Sequence, residues 1–157
     1  ETARAQFERR LEIYRSTQYP ISVSMTYYGL SMICLDLGDI EPARGHIEDS
    51  LRLARKQGEK YQEGRSTVGL GRVIGKADPS QSTKAEELIL EGIRILEELK
   101  LKPFQAEGHL YLGELYADIG QIKKALKALR KARRMFQQMG MDYYLARTEK
   151  ALQKLRG

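Results

Sequence analysis

Four alanines return at a fixed distance from four leucines. Ala3, Ala43, Ala85 and Ala125 are each followed 27 residues later by Leu30, Leu70, Leu112 and Leu152. Successive alanines lie 40, 42 and 40 residues apart. A recurring register of this length is the mark of stacked supersecondary units, each too small to bury its apolar face alone. Small residues follow three of the leucines (Ser31, Gly71, Gly113), and Ile47, Ile89 and Leu129 sit four positions after three of the alanines. Apolar residues otherwise recur at three and four spacing, as in Leu112, Leu115, Tyr116 and Ile119, and no segment alternates as a strand would.

Breaks divide this pattern at Tyr19-Pro20, Gly38, Gly58, Asp78-Pro79, Pro103, Gly120 and Gly140. They predict eight helices, at roughly 1–16, 21–37, 40–57, 61–76, 81–100, 103–119, 122–139 and 142–156. The expected fold is all-α: antiparallel helix hairpins stacked as a superhelix. Ser31, Gly71 and Gly113 on the first helix of each hairpin, and Ala43, Ala85 and Ala125 on the second, occupy the slots where paired helices must cross closely. Asp39 is placed as an N-cap, with Pro42 in a first turn that tolerates it, and Ser80 or Ser82 is placed to cap the fifth helix.

Composition bounds the function. The 157 residues make one domain, 41% apolar and 31% charged, with a net charge of +6. That balance is folded rather than disordered, and no apolar run reaches the length of a membrane span. The single thiol, Cys34, can form no internal disulfide, which fits a reducing cytoplasm. His46 and His109 lie in separate helical patterns, so neither is tied to Cys34 as a catalytic base, and no Cys or His pair has metal-ligand spacing. The reading is therefore of a chain with no catalytic residues, no metal and no cofactor. The start, ETARAQFERR, has neither an initiator Met nor a signal core, and is read as a cut from a longer protein.

The stretch GLGRVIGKADPSQSTK, residues 69–84, imitates a phosphate-binding loop. Counting back from Gly75-Lys76, the first glycine slot holds Leu70, and the Ser/Thr slot holds Ala77. Gly69, Gly71 and Gly75 also imitate a dinucleotide fingerprint, which must follow a strand. The residues before them align with helices elsewhere in the repeat, so the glycines are read as helical packing positions. Four glycines crowd this helix (Gly64, Gly69, Gly71, Gly75), each costing about 0.5–1 kcal/mol of helix stability relative to Ala.

The spacings Tyr27-x2-Leu30-Ser31-x2-Cys34-x8-Ala43 and His109-x2-Leu112-Gly113-x2-Tyr116-x8-Ala125 resemble the tetratricopeptide signature, W-x2-L-G-x2-Y followed by Ala. The resemblance extends over nearly the whole chain. It is closest in the third repeat and weakest in the second, and the period exceeds the family's usual one of about 34 residues. Residues 108–118 and 135–147 are similar to the C-terminal helical repeats of bacterial multidomain signalling ATPases and nucleotide cyclases. The resemblance implies a right-handed α-solenoid that acts as an interaction, scaffold or sensor module of a cytoplasmic signalling protein. It also implies that the first helix of each hairpin lines a concave groove.

By register, the groove positions are Met25, Tyr28, Met32, Leu35 and Asp36 in the first repeat. They are Arg65, Val68, Arg72 and Lys76 in the second, and Glu107, Leu110, Glu114, Ala117 and Asp118 in the third. Two readings stand side by side. Arg65 with Glu107, Arg72 with Glu114 and Lys76 with Asp118 are salt bridges between neighbouring helices, or they form a bipolar groove for a peptide or partner domain. Grooves of the tetratricopeptide type that clamp a terminal carboxylate use Asn and Lys, and this chain has no Asn.

The helix 122–139 is basic: Lys123, Lys127, Arg130 and Arg134 share one face. It is read as a solvated outer face, with a nucleic-acid surface as the alternative and a small-ligand sensor pocket in the groove as a third function. Tyr143 and Tyr144 are read as capping the end of the core. Phe7, Leu11 and Tyr14 at one end, and Leu145 and Leu152 at the other, leave self-association through the ends open. From its glycine content the hairpin 61–100 is predicted to be the least stable. Hydrogen exchange tests this, and finding this hairpin the best protected would refute it.

Overall fold

A computed structural model describes residues 2–17 and 23–157, apart from the side chains of Arg10 and of residues 14–17. Among these residues the order is α1 Ala3–Thr17, α2 Val23–Asp36, α3 Ile40–Gln57, α4 Lys60–Ala77, α5 Ser82–Glu98, α6 Lys102–Asp118, α7 Ile122–Met139 and α8 Asp142–Leu155. A 3-10 turn, Pro79–Gln81, precedes α5. No strand occurs among the described residues, and no helix there is long and apolar enough to cross a membrane. The break at Tyr19-Pro20 and the side chain of Tyr14 lie outside the described residues.

The C-terminal ends of α2, α3, α6 and α7 follow from one backbone device. Gly38, Gly58, Gly120 and Gly140 have positive φ, and the amide after each bonds back to the helix it leaves. Asp39 N–H reaches the Cys34 carbonyl at 2.8 Å, and Gln121 N–H the Tyr116 carbonyl at 2.8 Å, the 6→1 bond of a Schellman motif. The same motif ends α5 without a glycine. Lys100 adopts φ 57°, and Leu101 N–H bonds the Leu96 carbonyl at 3.0 Å. Two expected caps differ in detail. Asp39 stands at the N-cap of α3 but makes no capping bond with its side chain, which instead lies 3.5 Å from Arg4. Neither Ser80 nor Ser82 caps α5; Asp78 accepts from the Ser80 N–H at 2.9 Å and so holds the 3-10 turn that leads into the helix.

α2 pairs with α3, α4 with α5, and α6 with α7 as hairpins, with α1 and α8 flanking the stack. α4 also touches α2 and α6, and α8 touches α6, whereas α3, α5 and α7 make no comparable contact with one another. The row α2, α4, α6, α8 is thus the tighter, inner one, and the stack curves around it. α2, α4 and α6 are buried around most of their circumference, as the unbroken buried run from Ala106 to Gly113 shows, whereas the terminal α8 buries only Thr148 and Leu152. Outer helices bury a single stripe.

The crossings use the small residues that the repeat places there. Ala43, Ala85 and Ala125 are completely buried. The Ser31 hydroxyl donates to the Ala43 carbonyl at 2.6 Å. A methyl added at Gly71 would lie 2.7 Å from the Ala85 carbonyl oxygen, and one at Gly113 would lie 2.5 Å from Leu129 Cγ. Gly64 and Gly92 are packed in the same manner on Leu96 and Val68. The helix-propensity cost of the α4 glycines therefore has a counterpart of opposite sign, since they admit a close approach of α5. Hydrogen exchange on this hairpin measures the balance. The three glycines of the 69–84 stretch lie inside the continuous helix α4, so the loop context that either nucleotide motif requires is lacking.

One core runs through the stack from Tyr28 and Ile47 through Val68, Ile89, Leu110 and Leu129 to Phe136 and Leu152. A smaller cluster, Leu11, Val23 and Leu30 with Phe7, joins α1 to α2. Leu152 is buried and Leu145 packs on the core, so these two side chains are used within the chain and do not form an open apolar end. Between α2, α3 and α4 a polar seam replaces apolar packing: the Ser50 hydroxyl bonds the Ser24 carbonyl at 2.6 Å and the Ser66 hydroxyl at 2.8 Å, and the Gln62 amide reaches Ser66 at 3.1 Å.

Three substitutions test these arguments by thermal or denaturant unfolding. Lys100→Gly is expected to stabilise by about 1 kcal/mol, by relieving a left-handed non-glycine residue. Gly45→Ala, on an open part of α3 with nothing near the added methyl, is expected to stabilise by about 0.5–1 kcal/mol. Gly71→Ala gains the same propensity, yet is expected to destabilise by about 1–3 kcal/mol because the Ala85 backbone occupies the space.

Candidate functional site

The inner row presents charged side chains from four helices to a common concave surface. All three ion pairs read from the register form. Arg65 lies 3.6 Å from Glu107, Arg72 lies 3.5 Å from Glu114, and Lys76 lies 2.6 Å from Asp118. The repeat explains this, because each pair joins equivalent faces of α4 and α6.

The surroundings of two of the arginines are more elaborate than pairing. The Arg65 guanidinium is held between the rings of Tyr28 on α2 and Phe104 on α6, at 4.3 and 4.2 Å from their centres. Arg72 lies over the Tyr111 ring at 4.3 Å, donates to Asp36 at 3.0 Å and approaches the Met32 sulfur at 3.4 Å. From α8, Arg147 bonds Glu114 at 3.2 Å and lies 3.8 Å from Asp36. Asp36, Arg72, Glu114 and Arg147 therefore close a ring of alternating charge across α2, α4, α6 and α8, with Tyr111 facing both arginines.

Burial sets the electrostatics. The Arg72 side chain is 5% exposed. Burial works against its charge, and the negative potential of Tyr111, Glu114 and Asp36 outweighs that, keeping its pKa above the usual arginine value. Burial raises the Glu107 carboxyl above its ordinary range, opposed by Arg65 and by the hydrogen bond from Tyr28 at 3.4 Å. The Tyr28 phenol is likewise pushed up by burial and next by Glu107.

The groove positions thus divide by access. Asp36, Lys76 and Asp118 are exposed at the rim, Glu114, Ala117, Met25 and Arg65 are half-buried, and Tyr28, Met32, Arg72 and Glu107 are buried beneath. Leu110 departs from the expectation. It is completely buried in the core, because its side of α6 packs against the neighbouring helices instead of the groove. Val68 is buried for the same reason.

Two hollows open on this surface. One, about 640 Å³, lies between Asp36, Lys76, Asp118, Arg147, Lys150 and Lys154, with Leu35, Ala117, Ala151 and Leu155 as apolar wall. The other, about 330 Å³, lies beside Phe7, Met25, Tyr28, Glu107, Tyr143 and Tyr144. Register alone did not locate the residues of α8 in either hollow. Arg147, Lys150 and Lys154 lie 40 residues after Glu107, Leu110 and Glu114, the offset between Leu112 and Leu152, so that equivalence was the available signal. Tyr144 stacks on Phe136 at 5.2 Å and so caps the core, but Tyr143 does not: it is 74% exposed. On the opposite side of the molecule, Lys123, Lys127, Arg130 and Arg134 of α7 are all exposed.

Residues 106–136, which cover most of α6 and α7, match the tetratricopeptide repeat family. The chain is similar in structure to BtubC (BKLC) from P. vanneervenii, with a TM-score of 0.63 and 16% sequence identity. The match covers 96% of this chain and 68% of that one, and at this identity it shows a shared fold. Comparison with curated proteins gave no significant match. The chain folds as an α-solenoid, and its residues 106–136 match a repeat of the tetratricopeptide type.

The ring makes the test of pairing specific. Exchanging the residues at positions 72 and 114 alone sets a carboxylate against Asp36 and a guanidinium against Arg147, so the double exchange is not expected to recover stability. Arg72→Met removes one buried partner from the ring and is expected to destabilise by about 3 kcal/mol. Lys76→Ala breaks a pair whose side chains are 36% and 47% exposed, and is expected to cost less than about 1 kcal/mol. Equal losses in the two variants, measured by denaturant unfolding, would contradict this picture.

Proposed function

We propose that this chain is the protein-interaction module of a larger signalling or regulatory protein and that it binds an acidic segment of a partner in the concave groove. One observation carries the reading. The 640 Å³ hollow is lined by three acids, Asp36, Glu114 and Asp118, each already paired with a base, while Lys150 and Lys154 on its α8 wall have no ion-pair partner among the described residues. An extended peptide with acidic residues would meet these two cations, and its apolar side chains would cover Leu35, Ala117, Ala151 and Leu155. The ring, anchored on the buried Arg72 and reaching the rim at Asp36, is already neutralised internally, so discrimination falls to the unpaired lysines. The signalling context rests on the resemblance of residues 108–118 and 135–147 to the helical repeats of signalling ATPases and cyclases, read from the sequence alone.

Fluorescence anisotropy with a library of acidic and basic peptides tests the proposal. Acidic peptides are expected to bind, and Lys150→Glu with Lys154→Glu to weaken them about a hundredfold, at about tenfold per lost charge contact. Lys123→Glu with Arg130→Glu, on the outer face, is expected to leave binding unchanged. Equal weakening by the two double variants would place the peptide outside the groove.

A further inference from the structure

On the side of α6 turned away from the groove lies a separate hollow of about 330 Å³. It is walled by Glu86 of α5, by His109, Leu112 and Tyr116 of α6, and by Lys124, Lys127, Ala128 and Lys131 of α7. The three lysines recur at three and four spacing, which puts them on one face of α7. Their charges are unequally spent. Lys124 lies 3.8 Å from Glu86 and 5.1 Å from the centre of the Tyr116 ring, and Tyr116 donates to Glu86 at 2.7 Å. Lys127 and Lys131 have no ion-pair partner among the described residues. His109 is 8% exposed, and its Nε2 makes no hydrogen bond. A buried imidazole nitrogen left without a partner is costly in a folded protein, and it marks a place where a further hydrogen-bonding atom belongs.

We propose that this hollow is a binding site for a small phosphorylated molecule. Its phosphoryl group would lie against Lys127 and Lys131, beside the His109 imidazole in the wall, and its apolar body on Leu112, Tyr116 and Ala128. Two unpaired cations match a dianion in number, and the neutral imidazole beside them carries one N–H donor and no charge. The volume is that of a small-molecule site. Burial, and next the charge of Lys131, hold His109 down at about 4, so the ring is neutral near pH 7. The negative charge of a bound anion would offset that of Lys131 and raise it. The groups facing the ring in this hollow are Glu86 from α5, Tyr116 from its own helix, and Lys124, Lys127 and Lys131 from α7. The site is independent of the concave groove.

The chain has two histidines, so NMR follows His109 separately from His46. The intact 157-residue chain is titrated at constant ionic strength with inorganic phosphate, phenyl phosphate and benzoate. Phenyl phosphate is expected to bind more tightly than either, and to raise the His109 pKa by about one pH unit. Lys127→Ser and Lys131→Ser lie on an exposed helix face and leave the fold intact. Each is expected to weaken binding about tenfold, and Lys131→Ser to raise the His109 pKa before any ligand is added. His109 resonances unmoved by phenyl phosphate, or moved equally in the doubly substituted protein, would overturn the proposal. So would benzoate binding as tightly as phenyl phosphate. An RNA oligonucleotide that perturbs Lys123, Arg130 and Arg134 while phenyl phosphate leaves His109 unchanged would assign the basic face to nucleic acid and also overturn it.

Discussion

The close approach of paired helices at three small-residue crossings sets the rest of the geometry. At Gly71 beside Ala85 and at Gly113 beside Leu129 one added carbon finds no room, and at Ser31 the hydroxyl bonds the Ala43 carbonyl of the partner helix. Close crossings fix the angle within each hairpin, and the hairpin angle fixes how neighbouring hairpins stack. Because α2, α4, α6 and α8 touch in succession while the outer helices do not, curvature follows. A concave surface with side chains from four helices is its geometric result.

On that surface, charge complements shape. Arginine suits the buried positions because its flat guanidinium can lie on a ring and still present donors at its edge. Arg65 between Tyr28 and Phe104, and Arg72 over Tyr111, use both properties. Each acid of the ring meets two arginines and each arginine two acids, so no member is left as a lone buried charge. A buried ion pair is a poor source of stability compared with apolar packing, but it tolerates few alternative arrangements. The floor of the groove therefore specifies how the helices register against one another, and the less buried rim is left to vary its contacts.

Much of this was legible in the sequence because repeats convert position into contact. Equivalent positions one period apart must face adjacent inner helices, which is why Arg72 with Glu114 could be read from spacing. The repeat could not say that Arg147 closes the ring, since that requires α8 to lie near α2 as well as α6, a matter of overall curvature. Leu110 was misplaced because inner helices are buried nearly all round, so helical period alone does not separate groove from core. The α5 terminus was found from Pro103, but the left-handed residue there is Lys100, a type that gives no local signal. The Ser50, Ser66 and Gln62 seam was also unread, because polar residues on a predicted helix are ordinarily assigned to solvent.

The link between Arg147 and Asp36 has a mechanical meaning. It joins the second helix to the eighth, skipping the two inner helices between them. A row of stacked hairpins bound only to nearest neighbours stretches and recoils like a spring. Here one contact closes the coil from α2 to α8, so widening the groove separates Arg147 from Asp36. At 3.8 Å and with side chains 24% and 51% exposed, this closure is worth under about 1 kcal/mol, so it marks the span of the coil without locking it.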